Sequence, residues 1–241
     1  LHKKLNVNFM KQTRFIGKGE DMLSPQGQSR RRFLTKAAGV ASIAVVAAAS
    51  CKKDKNNDSG DGVDLGTGDI GILNYAYALE QLEAAFYTQV ITSQYSGITA
   101  AETALLTDIR DHEIAHREFF KNALGTKAIV SLEVNFSAIN FGSRDSVLGA
   151  AKTFEDLGVS AYNGAGRLIT SSDYLVLAGK IVSVEARHAA YIRDLISNGS
   201  FADSSVIDAN GLDKSRMPAE VLTAASAYLK TKVNGKNLPT M

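Results

Sequence analysis

Glu113-x-x-His116 and Glu185-x-x-His188 are the residues of this sequence best spaced to do chemistry together. Three positions is close to one helical turn, so on a helix each Glu and His projects to the same side and the pair can share a metal ion. Four histidines occur in the chain; beyond His2 they are His112, His116 and His188, so two of those three fall into the repeated pattern. On a 100° wheel every candidate helix centres a glutamate in its own apolar stripe. Glu80 has Leu73, Tyr77, Ala84, Tyr87 and Ile91 around it; Glu113 has Leu106, Ile109, Phe120 and Leu124. Glu155 has Leu148, Ala151, Val159 and Tyr162; Glu185 has Ala178, Ile181, Ala189, Ile192 and Ile196. An ionised carboxylate in a core costs several kcal/mol even after relaxation, and four together repel one another. Arg110, Arg117 and Lys152 lie near those faces but are too few to order all four carboxylates. Divalent cations do so better, each taking several carboxylate oxygens at about 2 Å.

The elements that must position these groups are helices. The absence of proline between Gln26 and Met217 leaves long helices unbroken. The spacing predicts helices from about Asp69 to Thr92, from an N-cap at Thr99 to Leu124 with Gly125 as the stop, from about Asp145 to Thr170, and from Ser172 to just before Asn198-Gly199. Short connections make antiparallel hairpins of the first two and the last two. The stretch Thr126 to Arg144 is long enough to run the length of a bundle, and Pro218 opens a fifth helix expected to reach Lys230. The expected fold is all-α: a four-helix bundle with one long crossover between helices 2 and 3, plus a C-terminal extra helix. The halves also repeat. Glu80 to Glu155 is 75 residues and Glu113 to Glu185 is 72, while Tyr87 and Tyr162 each follow their glutamate by seven. A duplicated helix pair explains these offsets together.

Glu on one helix of each pair and Glu-x-x-His on the other is the pattern of ferritin-like di-iron and di-manganese carboxylate proteins. The run Leu79-Glu80-Gln81-Leu82-Glu83-Ala84-Ala85-Phe86-Tyr87 also resembles the first helix of a bacterial ferritin-like domain family found behind export signals. The resemblance spans roughly Asp69 to Asn198. It implies that Glu80, Glu113, His116, Glu155, Glu185 and His188 hold two iron or two manganese ions, iron favoured, with Glu113 and Glu185 bridging. It places Tyr87 and Tyr162 near the metals as ligand-orienting or redox groups. Glu83, about 60° from the Glu80 direction, departs from the pattern; it would replace or supplement Glu80, or sit at the rim. The implied activity is an oxidoreductase acting on peroxide, dioxygen or ferrous iron in stress protection.

Two other readings compete. One is a ferritin-like module that binds metal, or serves structurally, without turnover. The other is a zinc protease, because His112-Glu113-Ile114-Ala115-His116 matches His-Glu-x-x-His, with Glu133 available as a third ligand. Against the protease, the next residues are Arg117, Glu118 and Phe119, and Glu80, Glu155, Glu185 and His188 are left unexplained. Val184 stands where the second half would repeat His112, so His112 is expected outside the metal shell or at the surface. Arg117 and Arg187 are expected beside the histidines or in solvent. Gly158, Gly164 and Gly166 are expected to permit close helix packing, since they lack the strand context of a phosphate loop.

Charge divides the chain. Residues 1–50 hold nine Lys/Arg and two Asp/Glu, whereas the remainder holds 18 Lys/Arg and 23 Asp/Glu. An acidic body excludes sequence-independent nucleic-acid binding. Within the leader, Ser29 to Lys36 carries Arg30-Arg31 followed by Phe33 and Leu34, and an apolar small-residue run follows from Ala37 to Ala49. That run spans about 20 Å as a helix, too short for the roughly 30 Å bilayer core, so it reads as an export signal of twin-arginine type. The single cysteine, Cys51, excludes a disulfide framework and stands where a lipoprotein signal places its acylated residue. The expected organisation is 1–50 export signal, 51–67 flexible tether, 68–199 bundle and 200–241 C-terminal extension with a short helix. The protein is then expected in the cell envelope or periplasm, lipid-anchored at the membrane and served by metal ions and a small oxidant.

Overall fold

Short polar side chains mark where the long helices start. Thr99 Oγ1 accepts from the Glu102 amide at 3.1 Å while Glu102 Oε2 accepts from the Thr99 amide at 3.1 Å, a reciprocal capping box. Ser143 and Ser171 cap the two later helices by accepting from the amides of Ser146 and Tyr174. Each such cap is worth about 1 kcal/mol.

The computed structural model describes residues 62–240. Their order is β1 (Val63–Asp64), α1 (Gly68–Thr92), α2 (Ala100–Leu124), α3 (Arg144–Gly166), α4 (Ser172–Ile196), α5 (Pro218–Ala225) and β2 (Val233–Asn234). α1 packs along α2 and α3 along α4 as two hairpins, α1 also meets α3, and α5 lies on α3. This is the expected all-α bundle with a crossover and an extra C-terminal helix. Among the described residues no helix is long and apolar enough to cross a membrane. Arg30, Arg31 and Cys51 lie outside the described residues.

α1 is the centre of the molecule, buried on nearly every side from Gly71 to Ala84. α2 and the α3–α4 hairpin cover part of it, and the crossover covers another part. Two buried amides on α1 hold that crossover. Asn74 Nδ2 donates to the Leu65 and Lys127 carbonyls at 3.1 and 3.0 Å, and its Oδ1 accepts from the Ile129 amide at 3.0 Å. Seven residues on, Gln81 Oε1 accepts from the Leu132 amide at 2.8 Å. These bonds satisfy loop backbone that burial would otherwise leave unpaired. Beyond them Phe136 and Phe141 close over Phe86 and Phe154 in an aromatic cluster.

Four expectations need correction. Of the tether expected over 51–67, residues 51–61 lie outside the described residues, and the end of it is held in place, because β1 pairs in parallel with β2 and Leu65 is fully buried. Within the C-terminal extension the segment around α5 is part of the core: Val221 and Ala225 are fully buried, and Tyr228 meets Phe154 edge-on at 4.6 Å. α3 stops at Gly166 instead of Thr170, since Asp69 on α1 accepts from the amides of Thr170 and Ser171, both at 2.8 Å, and draws the chain into a turn. α5 stops at Ala225, with one 3-10 turn through Tyr228, because Lys230 then donates to the Glu133 carbonyl at 2.8 Å in an extended backbone.

Gly158 and Gly164 serve close approach, the first of α3 to α1 as expected, the second of α3 to the C-terminal segment. A Cβ on Gly158 would lie 3.1 Å from Glu83 Oε1, and one on Gly164 would lie 1.7 Å from the Arg216 carbonyl oxygen. The first glycine makes room for a carboxylate and the second for the C-terminal segment.

Candidate metal centre

The four helices each deliver one glutamate to the same level of the bundle, and Glu80, Glu113, Glu155 and Glu185 are all 0% exposed. Between them stand His116 and His188, 14% and 6% exposed. His116 Nδ1 lies 2.8 Å from Glu185 Oε1, 3.5 Å from Glu80 Oε2 and 3.7 Å from Glu113 Oε2. His188 Nδ1 lies 2.8 Å from Glu113 Oε1 and 3.5 Å from Glu155 Oε2 and Glu185 Oε2. The two imidazoles are therefore related as the sequence repeat requires, each facing the glutamate of the other Glu-x-x-His pair.

The tyrosines cross over in the same way. Tyr87 on α1 donates to Glu155 Oε1 on α3 at 2.5 Å, and Tyr162 on α3 donates to Glu80 Oε1 on α1. Each fixes one oxygen of its carboxylate and leaves the other pointing inward. What remains is a set of buried atoms without a well-formed hydrogen bond: Glu80 Oε2, both oxygens of Glu113 and of Glu185, Glu155 Oε2, and Nδ1 of His116 and His188. Buried polar atoms are ordinarily satisfied, so such a concentration marks a place for a ligand they all share. They fall into two groups, Glu80–Glu113–His116–Glu185 and Glu113–Glu155–Glu185–His188, with the donor atoms of each within 4.8 Å of one another. Glu113 and Glu185 belong to both. Mixed oxygen and imidazole donors around two adjacent points suit a pair of divalent transition-metal ions.

Electrostatics supports this reading. Among the described residues no lysine or arginine pairs with the four glutamates; Arg110 pairs with Asp111 and Arg117 with Glu118 instead. Without a cation the cluster must hold protons. Burial, reinforced by Glu185 and Glu113, pushes Glu80 well above the usual carboxylate range, and burial with Glu113 lifts Glu155 to about 8 despite His188 beside it. Burial works against an ionised Glu113, but the flanking His116 and His188 outweigh it and draw its pKa down to about 2. Burial would lower both histidines, yet the glutamates around them hold each up at about 12. Two cations would displace those protons and take their place.

A family model for the ferritin-like domain matches residues 68–198, more than half of the chain. The chain belongs to the ferritin-like domain family. No curated protein matches it.

Within this ferritin-like domain, all six residues picked from spacing converge. Glu83 does not join either group; it is buried beside them, against Gly158, and burial with the four neighbouring carboxylates holds it well above its usual range. The protease pattern does not assemble. Neither group contains His112 or Glu133, and Glu133 is exposed on the crossover. His112 sits at the surface as expected, but with a role that spacing on one helix does not reveal: its Nδ1 lies 2.9 Å from His188 Nε2 on α4. Asn74 and Gln81 were also missed. Two amides seven residues apart in the largely apolar run Ile70 to Leu82 are the signal in the sequence that marks them.

Proposed function

We propose that the ferritin-like domain holds two iron or manganese ions, iron favoured, and works as an oxidoreductase on peroxide, dioxygen or ferrous iron in stress protection. The observation that carries this reading is the pair of overlapping donor groups joined through Glu113 and Glu185. In that arrangement Glu80, Glu113, Glu155, Glu185, His116 and His188 would hold the two ions, with Glu113 and Glu185 common to both donor groups. A bound pair of redox-active cations supplies two one-electron couples side by side and open positions for a small oxidant. The protein supplies the rest. Tyr87 and Tyr162 keep a phenol proton on the outer oxygen of Glu155 and Glu80 and so hold the inner oxygen in place. The surrounding apolar residues exclude water. His116 is the more exposed of the two imidazoles, 14% against 6%.

The leader extends the proposal to the cell envelope. Arg30-Arg31 and the run Ala37 to Ala49 support export of the folded protein to the periplasm, and Cys51 supports a lipid anchor at the membrane. Mass spectrometry of the membrane-fraction protein tests this through a diacylated Cys51. For the centre, metal analysis is followed by assays of peroxide consumption and ferrous oxidation by the loaded protein. Two metals with turnover support the oxidoreductase, and two metals without turnover favour a non-catalytic binding module.

A further inference from the structure

The polar groups of the centre repeat between the two halves: Glu80 with Glu155, Tyr87 with Tyr162, Glu113 with Glu185, His116 with His188. Two neighbouring polar groups do not. At the offset of 72, His112 is matched by Val184; at the offset of 75, Glu83 is matched by Gly158. The first of these falls on one donor group alone, through His188.

His112 acts on His188. The contact between its Nδ1 and His188 Nε2 is 2.9 Å, the ring centroids are 5.2 Å apart and the planes differ by 7°. Rings joined edge to edge by a hydrogen bond give this separation, so the two imidazoles lie nearly in one plane. For His188 Nδ1 to present a lone pair toward Glu113, Glu155 and Glu185, its proton must sit on Nε2, and His112 Nδ1 accepts that proton's hydrogen bond. Such a partner fixes the tautomer and ring direction and makes the ligating nitrogen more basic. At the corresponding place for His116, Val184 has no nitrogen to offer. Glu83, one turn along α1 from Glu80, fills the notch at Gly158, one turn along α3 from Glu155, and so favours neither group.

We propose that the two metal positions are unequal: the one framed by Glu155 and His188 fills first and binds tightly, and the one framed by Glu80 and His116 is the exchangeable position. His112 is a positioning residue for the first. The inference rests on the dimetal reading. It is tested by calorimetric titration of the full metal-free chain with Mn2+, with EPR separating isolated from paired ions. Two steps are expected, further apart than the statistical ratio for identical sites. His112→Leu, an exposed change that leaves the core intact by thermal melt, is expected to weaken the first step about 10- to 100-fold, as loss of an outer partner does elsewhere, and to spare the second. His112→Gln, whose carbonyl also accepts, is expected to restore most of the gap. Equal steps in the native chain, or an equal loss at both steps in His112→Leu, overturn the inference while leaving two bound metals. Fewer than two Mn2+ in the native chain overturns the dimetal reading, and this order with it.

Discussion

Tyr87 on α1 donates its phenol proton to Glu155 on α3 at 2.5 Å, across 68 residues of sequence. Tyr162 returns the favour to Glu80 on α1, so the two halves of the bundle are tied through the ligands themselves. Tyr87→Phe removes the donor and leaves a buried carboxylate oxygen unsatisfied. A loss of about 1–3 kcal/mol in urea unfolding of the metal-free protein is expected, with full metal stoichiometry retained. Loss of both metals in this variant would make Tyr87 more than an anchor.

The protons held by the metal-free centre give stability a direction with pH. Glu155 is raised from 4.5 to about 8, Glu80 and Glu83 are raised well above 4.5, and His116 and His188 are raised from 6.5 to about 12. A group with a raised folded pKa binds more protons folded than unfolded, so its contribution is complete below the unfolded pKa and lost as pH rises toward the folded one. Glu113, drawn down to about 2, has the opposite sign, but its contribution is complete above 4.5. The melting temperature of the metal-free protein is therefore expected to fall from pH 5 to pH 8. With metal present the trend is expected to reverse, because binding releases those protons and strengthens with pH. Parallel melts across this range decide it.

Gly164 and Gly149 lie on the same helix and should respond oppositely to alanine. A Cβ at Gly164 meets the Arg216 carbonyl at 1.7 Å, whereas Gly149 has nothing within 4 Å. Gly164→Ala must push the C-terminal segment off α3, at a cost of about 1–3 kcal/mol or more. Gly149→Ala is expected to stabilise by about 0.5–1 kcal/mol through helix propensity. Chemical denaturation of the two variants is the check.

Asn74→Leu breaks the three bonds that hold Leu65, Lys127 and Ile129 to α1. The buried Leu65 carbonyl is left unpaired at about 1–3 kcal/mol, and the part-buried Lys127 carbonyl and Ile129 amide lose their partner as well. Faster hydrogen exchange at Ile129 and across the start of the crossover is expected before any change at Glu113 or Glu185.

The parts of this molecule that could be read from its sequence are those where a residue type is costly in its place. A carboxylate in an apolar stripe demands an explanation, and Glu80, Glu113, Glu155 and Glu185 each made that demand on the wheel of a single helix. The start of α2 was legible for a related reason, since Thr99 caps locally. Contacts between distant segments were not. β1 and β2 are two residues each and too short for a periodic signal, so their pairing shows only in three dimensions. The His112–His188 bond joins α2 to α4, and the spacing within either helix is silent about it. Helix packing, read from the glycines on α3, holds for Gly158 against α1, but nothing in the neighbourhood of Gly164 names Arg216 as what fills its gap.

The central claim is a pair of cations held between two shared glutamates, and metal content per chain tests it most directly. Purified native protein is expected to contain two iron or manganese ions per chain, and the Glu113→Ala/Glu185→Ala double variant none, with its helical content by circular dichroism retained. One zinc that disappears with His112→Leu, or a native chain as free of metal as the double variant, would contradict it.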